Sequence, residues 1–152
     1  MEKPAANSID LVMTRVFDAP REKVFDAWVD GKQLSKWMGP QGVTANAEVA
    51  EGKVGGRYRI VMHIPTGDKP AVGGVYREIK RPERLVFTWT WETQHPGGMS
   101  GHETLVTLTF RDVGGKTEMT MRHEGFESAE SRDNHNQGWT GSFDKLAEAL
   151  AG

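Results

Sequence analysis

The sequence predicts an α+β fold in which a curved antiparallel sheet wraps around a long C-terminal helix. Two observations carry this expectation. Near the end, Trp139, Phe143, Leu146 and Leu150 follow one another at offsets of four, three and four, the spacing of one apolar helix face. Almost everything before them alternates with period two between turn signals, apart from two short helical stretches after the first strand. A lone amphipathic helix behind a run of strands buries its stripe across the sheet. In a chain of 152 residues that arrangement often encloses a cavity.

Each element has its own signal. Ile9, Leu11, Met13 and Phe17 share one face of a first strand. Pro20 suits the first position of a helix whose stripe is Val24, Phe25, Trp28 and Val29, with Glu22 placed to reach back to the cap and Gly31 as its stop. A second short helix spans Gln33 to Trp37. Val43, Ala45, Ala47 and Val49 then alternate with polar residues, and such small inward side chains are expected to leave space. After the Gly55-Gly56 turn, Tyr58, Ile60, Met62 and Ile64 form one strand face. A loop is expected from Pro65 to Gly74, then a strand from Val75 to Lys80. Leu85, Phe87, Trp89 and Trp91 give the strongest strand signal, and a glycine-rich loop follows from Thr93 to Gly101. Val106, Leu108 and Phe110 belong to the next strand. The Gly114-Gly115 hairpin leads to Thr117, Met119, Met121 and His123 on one face of the last. Ser128 is the expected cap of the final helix.

Residues 1–8 are expected to fray and residues 9–152 to form a single domain. With 37% hydrophobic and 26% charged residues, the composition is that of an ordinary globular protein. A formal charge of −2 offers no positive field for nucleic acid. The absence of cysteine removes disulfides, thiolate nucleophiles and zinc–cysteine sites. No apolar run suggests a signal peptide or a membrane span, so a cytoplasmic location without membrane insertion is expected.

Several motifs together resemble a known family. They are Ala19-Pro20 before Val24-Phe25-Asp26-Ala27-Trp28, then Lys36-Trp37-Met38-Gly39-Pro40, and Val54-Gly55-Gly56. Further on come Arg81-Pro82-Glu83-Arg84-Leu85-Val86-Phe87-Thr88-Trp89, Thr117-Glu118-Met119-Thr120-Met121, His123-Glu124-Gly125-Phe126, and Gly138-Trp139 with Leu146. Their order over residues 9–151 resembles the helix-grip, START-like superfamily, also called SRPBCC. The motifs resemble its branch named after the activator homologue of the heat shock protein 90 ATPase. The resemblance implies a sheet gripping the C-terminal helix, two short helices closing one end, and a space that often holds lipids, polyketides or other apolar molecules. It implies no catalytic motif and no cofactor.

The candidate ligand cavity is therefore lined by Trp37, Tyr58, Met62, Trp89, Trp91, Met119, Met121, His123, His135, Trp139 and Phe143. Methionine and tryptophan suit an adaptable apolar pocket, and a filled core is the competing reading for each. His123 is either a group that orients a ligand or acts as a base, or a histidine bonded to backbone near Glu124-Gly125. His135, with Asn136 beside it, reaches the pocket mouth or sits in solvent. Glu78 is a buried carboxylate or the partner of an arginine. His95, His102 and Glu103 flank the glycine-rich loop but lack the convergence a metal needs, and the loop is a gate or an ordinary hairpin. Arg57, Arg59, Lys80, Arg81 and Arg84 form a solvated basic scatter. The leading functional expectation is a binding module for an apolar or amphipathic small molecule. The alternatives are a cyclase, dehydratase or hydrolase using His123 or Glu78, and a chaperone partner. The eukaryotic co-chaperone carries an additional domain ahead of this one, which weakens the last. A homodimer is compatible with the sequence.

Overall fold

The computed structural model describes residues 9–92 and 101–151. The segment expected to fray, and His95 and Gly97-Gly98 of the expected gate, lie outside the described residues. The elements are β1 (Ile9–Phe17), α1 (Arg21–Val29), α2 (Gly31–Trp37), β2 (Thr44–Ala50), β3 (Arg57–His63), β4 (Ala71–Lys80), β5 (Arg84–Trp91), β6 (Glu103–Val113), β7 (Lys116–Phe126) and α3 (Ala129–Ala151). The strands form one seven-stranded sheet in the order β1-β7-β6-β5-β4-β3-β2. All six pairings are antiparallel. Strands β2 to β7 follow one another as neighbours. Strand β1 is separated from β2 by the two short helices and pairs instead with β7, so the sheet curves around α3 from both ends of the chain.

Helix α3 begins where the sequence indicates, with the Ser128 hydroxyl accepting from the Ser131 amide at 3.0 Å. Its stripe of Trp139, Phe143, Leu146 and Leu150 is buried. The Phe143 ring meets Phe17 of β1 and Trp28 of α1 at centroid distances of 6.4 and 6.2 Å. The alternating positions of β5 and β7 also point inward: Leu85, Phe87, Trp89, Met119, Met121 and His123 are all buried.

The structure departs from the sequence expectations in four places. Pro20 occupies the capping position of α1 without a side-chain cap. Its carbonyl accepts from the Lys23 and Val24 amides, and Glu22 is exposed. Gly31 does not stop α1 but opens α2. Asp30 ends the first helix through its amide and caps the second through its carboxylate, which accepts from the Lys32 amide at 2.9 Å. A Cβ on Gly31 would lie 3.3 Å from that of Ala50. The small residues of β2 therefore make room for α2 rather than for a cavity, and the Ala47 amide donates to the Ser35 hydroxyl at 2.9 Å.

The fourth departure is β4, which starts at Ala71 rather than Val75. Gly73 and Gly74 are strand residues because their neighbours crowd them. A Cβ on Gly74 would sit 2.0 Å from the Thr88 carbonyl oxygen, and one on Gly73 2.8 Å from the Tyr58 carbonyl oxygen. Tyr58 pairs with Gly74 across the strands, and its hydroxyl passes over that bare position to donate to Thr88 O at 2.5 Å. Gly74→Ala should thus destabilise the fold by about 3 kcal/mol, the upper range for overpacking. Urea denaturation measures it, and a loss under about 1 kcal/mol would show that the strands can separate freely here.

Candidate functional site

A cavity of about 220 Å³ lies between the N-terminal half of α3, the loop after α2, and strands β3 and β5. Met38, Gly39, Pro40 and Val43 supply one wall, and Met62, Ile64 and Pro70 a second. Trp89 and Trp91 form the sheet side, and Asn134, His135, Gly138, Trp139 and Ser142 the helix side. The lining is overwhelmingly apolar. Its volume exceeds the roughly 150 Å³ in which an apolar cavity holds benzene. It falls short of the 300–1,000 Å³ or so of sites for drug-sized molecules.

The loop wall is fixed by α3. A Cβ on Gly141 would lie 3.0 Å from the Gln41 amide nitrogen and 3.1 Å from Pro40 Cα, so that glycine permits close approach. One turn on, the Lys145 ammonium donates to the carbonyls of Val43 (2.7 Å), Met38 (3.3 Å) and Pro40 (3.5 Å). Partial burial lowers the affinity of Lys145 for its proton. Gly138 is different. Nothing lies within 4 Å of where its Cβ would be, although it stands inside a helix, where glycine costs about 1 kcal/mol relative to alanine. Its missing side chain leaves cavity volume.

Behind the sheet side of the cavity lies a hydrogen-bonded network of three indoles and two imidazoles. Trp91 and Trp89 both aim Nε1–H at His135 Nε2, at 3.1 and 3.4 Å. An indole only donates, so Nε2 carries no proton, and Nδ1–H donates to the Ser131 carbonyl at 2.8 Å. Trp139 donates to His123 Nδ1 at 3.1 Å. The Thr104 hydroxyl donates to the Trp89 carbonyl at 2.9 Å and so accepts from His123 Nε2–H at 2.7 Å. Both histidines are therefore neutral, in opposite tautomers. Burial pushes His123 well below the ordinary histidine range, and the nearby His135 ring adds to this. Burial also lowers His135, opposed by the Ser131 carbonyl and the Glu127 charge. Because the three indole N–H groups are engaged by imidazoles, Trp89, Trp91 and Trp139 add aromatic carbon to the cavity rather than donors.

Of the residues singled out in the sequence, Met62, Trp89, Trp91, His135 and Trp139 line this cavity. Tyr58 lines a small separate void with Trp28, Met38 and Tyr76. Trp37, Met119, Met121 and Phe143 lie in the packed core, where Trp37 donates to the Ala27 carbonyl at 2.9 Å. His123 is fully buried within the network. It is bonded to side chains rather than to backbone at Glu124-Gly125, because β7 runs on past it to Phe126. Asn136 is exposed, and its neighbour Asn134 reaches the cavity instead. Glu78 is paired with Arg84 at 3.1 Å, near a β-bulge that turns it toward solvent. His102 lies 2.6 Å from the Gly125 carbonyl, and Glu103 faces Arg77 at 3.8 Å. Among the described residues no group of three or more histidines and carboxylates is placed to hold a metal ion, and no helix is long and apolar enough to cross a membrane.

A sheet curved around one long C-terminal helix, with two short helices after the first strand, is the helix-grip arrangement of START-like, or SRPBCC, proteins. Within that class the chain belongs to the activator of Hsp90 ATPase homolog 1-like protein family, whose model matches residues 18–151. It is similar to a solved protein of Chromobacterium violaceum at 27% identity and a TM-score of 0.84, covering 93% of this chain and 96% of that one. The AHSA1 protein of Silicibacter pomeroyi is similar at 28% identity and a TM-score of 0.81, covering 94% and 98%. A protein of Arthrobacter aurescens matches at 25% identity and a TM-score of 0.81, covering 93% and 86%. No curated protein matches the chain.

The neutral histidines make stability depend on pH. Their native proton affinity is lowered from the ordinary value of 6.5, so below that pH the unfolded chain binds protons that the native state refuses. The histidine contribution is at its plateau above about pH 6.5 and should fall beneath it, by at most about 1.4 kcal/mol per pH unit for each histidine. Denaturant midpoints between pH 8 and 5 measure this, and His123→Gln should flatten the slope. A wild-type midpoint unchanged down to pH 5 would contradict the neutral assignment.

Proposed function

We propose that the chain is a binding protein for a small apolar or amphipathic molecule, held between the sheet and α3. The observation that carries this reading is the cavity at Gly138, where a helix interior forgoes a side chain although nothing crowds the position. A filled core would close such a space, since each buried methylene is worth about 0.8 kcal/mol. The volume suits a one-ring compound with a short substituent, or the terminal part of a lipid or polyketide whose remainder leaves past the exposed Asn134. Binding draws on burial of apolar area against Trp89, Trp91, Trp139, Met38 and Met62, with the Ser142 oxygen as one polar contact inside. Ser142 donates its own proton to the Gly138 carbonyl at 2.9 Å, so its oxygen is an acceptor.

An enzymatic reading has less support. His123 is buried behind the cavity lining with both ring nitrogens bonded. His135 has its Nε2 lone pair directed at two indoles, and Glu78 is held by Arg84. A group that moves a substrate proton needs a free lone pair or proton facing that substrate.

Native mass spectrometry of the purified protein, with thermal shift against fatty acids, polyketides and flavonoids, tests the proposal. A saturable rise in melting temperature is expected, because a ligand of the folded state stabilises by mass action. Gly138→Leu should fill the cavity and abolish that rise. It should also leave the free protein as stable or about 0.5–1 kcal/mol more stable, since it replaces a helix glycine. Ligand shifts identical in wild type and variant would place binding elsewhere. No bound mass and no shift with any compound would leave a protein partner as the reading to pursue.

A further inference from the structure

The chain contains five tryptophans, and four have their indole N–H bonded. Trp37 donates to Ala27 O, Trp89 and Trp91 to His135, and Trp139 to His123. The fifth, Trp28, is 2% exposed, and its Nε1 is buried without a hydrogen-bond partner among the described residues. Buried donors are almost always paired, and leaving one unpaired forfeits its lost hydration. Trp28 also lines the second, smaller void, of about 10 Å³. That void shares two wall residues, Met38 and Trp89, with the main cavity. Trp89 is anchored through His135, whereas Met38 is an unbranched thioether that changes rotamer readily.

We infer that the binding cavity continues past Met38 to the Trp28 indole, and that its ligand carries an uncharged hydrogen-bond acceptor at the buried end. This inference rests on the proposed binding function and specifies the chemistry of its ligand. The void as it stands is about the size that accommodates one water, the room of a terminal oxygen. Rotation of Met38 joins it to the larger space. An indole nitrogen donates and never accepts, so the ligand group it meets is an acceptor: a carbonyl, ether or hydroxyl oxygen. The nearby Tyr58 hydroxyl has its proton committed to the Thr88 carbonyl at 2.5 Å and adds no competing donor. No cation lines the void, and a carboxylate there would lose its hydration for a single N–H.

The test compares acetophenone with α-methylstyrene, its near-isostere bearing a methylene in place of the carbonyl oxygen. In the full-length protein with labelled indole nitrogens, acetophenone should move the Trp28 N–H proton resonance downfield, while α-methylstyrene should leave it in place. Trp28→Phe should weaken acetophenone binding about tenfold, the effect of one hydrogen bond, and change α-methylstyrene binding less than twofold. A Trp28 resonance that acetophenone does not move, because the N–H meets only a trapped water or none, would overturn the inference. So would a variant that weakens both compounds equally. The resonance is read in wild type and stands even if the variant folds poorly. If neither compound binds wild type and the fatty-acid, polyketide and flavonoid panel gives no bound mass and no shift either, the proposed function fails as well; if both bind and Trp28 is silent, only the acceptor subsite fails.

Discussion

The hydrogen bonds from three indoles to two imidazoles hold the cavity half of this fold together. They join β5 (Trp89, Trp91), β6 (Thr104), β7 (His123) and α3 (His135, Trp139) into one buried network. Hydrophobic contact alone sets neither the rotation of a helix nor its height over a sheet closely, because apolar side chains repack. Directional bonds between rigid rings do. With His135 and Trp139 one turn apart and each tied to a different partner on the sheet, α3 has one orientation. The cavity walls follow from it. The same bonds require neutral histidines, since a proton on either acceptor nitrogen would face an indole N–H.

The other side of the cavity depends on the loop after α2, where Met38 and Val43 are buried in the core. Helix α3 holds it by the close approach at Gly141 and by the three carbonyls gathered on Lys145. Two glycines three residues apart in one helix thus serve opposite ends. Gly141 lets backbone meet backbone, and Gly138 keeps backbone away from anything. Sequence alone does not separate them, because each is simply a helix glycine until its surroundings are known.

That contrast explains what was legible in the chain. The fold was, because the α3 stripe and the alternation in β5 and β7 are local patterns that burial then honours. The start of β4 was not. Gly73 and Gly74 look like loop residues, yet they are strand residues whose side chains are excluded by Thr88 and Tyr58 of neighbouring strands. Five lining residues could be named because strand alternation and helix spacing identify an inward face. The rest of the lining comes largely from loops: Met38 and Val43 from the one that Lys145 and Gly141 hold, far away in sequence, and Ile64 and Pro70 from the connection between β3 and β4, closed by its own backbone bonds. Met119, Met121 and Phe143 share the inward face with the lining residues, and periodicity does not distinguish a wall from the packing behind it.

The rings also form an unbroken series. Trp37 and Trp28 have centroids 4.6 Å apart, Trp28 and Trp139 5.7 Å, Trp139 and Trp89 4.9 Å, and Trp89 and Trp91 5.7 Å. Every tryptophan of the chain belongs to it. At such separations, light absorbed by one indole is shared with its neighbours before it is emitted. The fluorescence of this protein is therefore a collective signal, and a quencher touching one chromophore at the cavity wall dims the emission of the whole series, including members it never reaches.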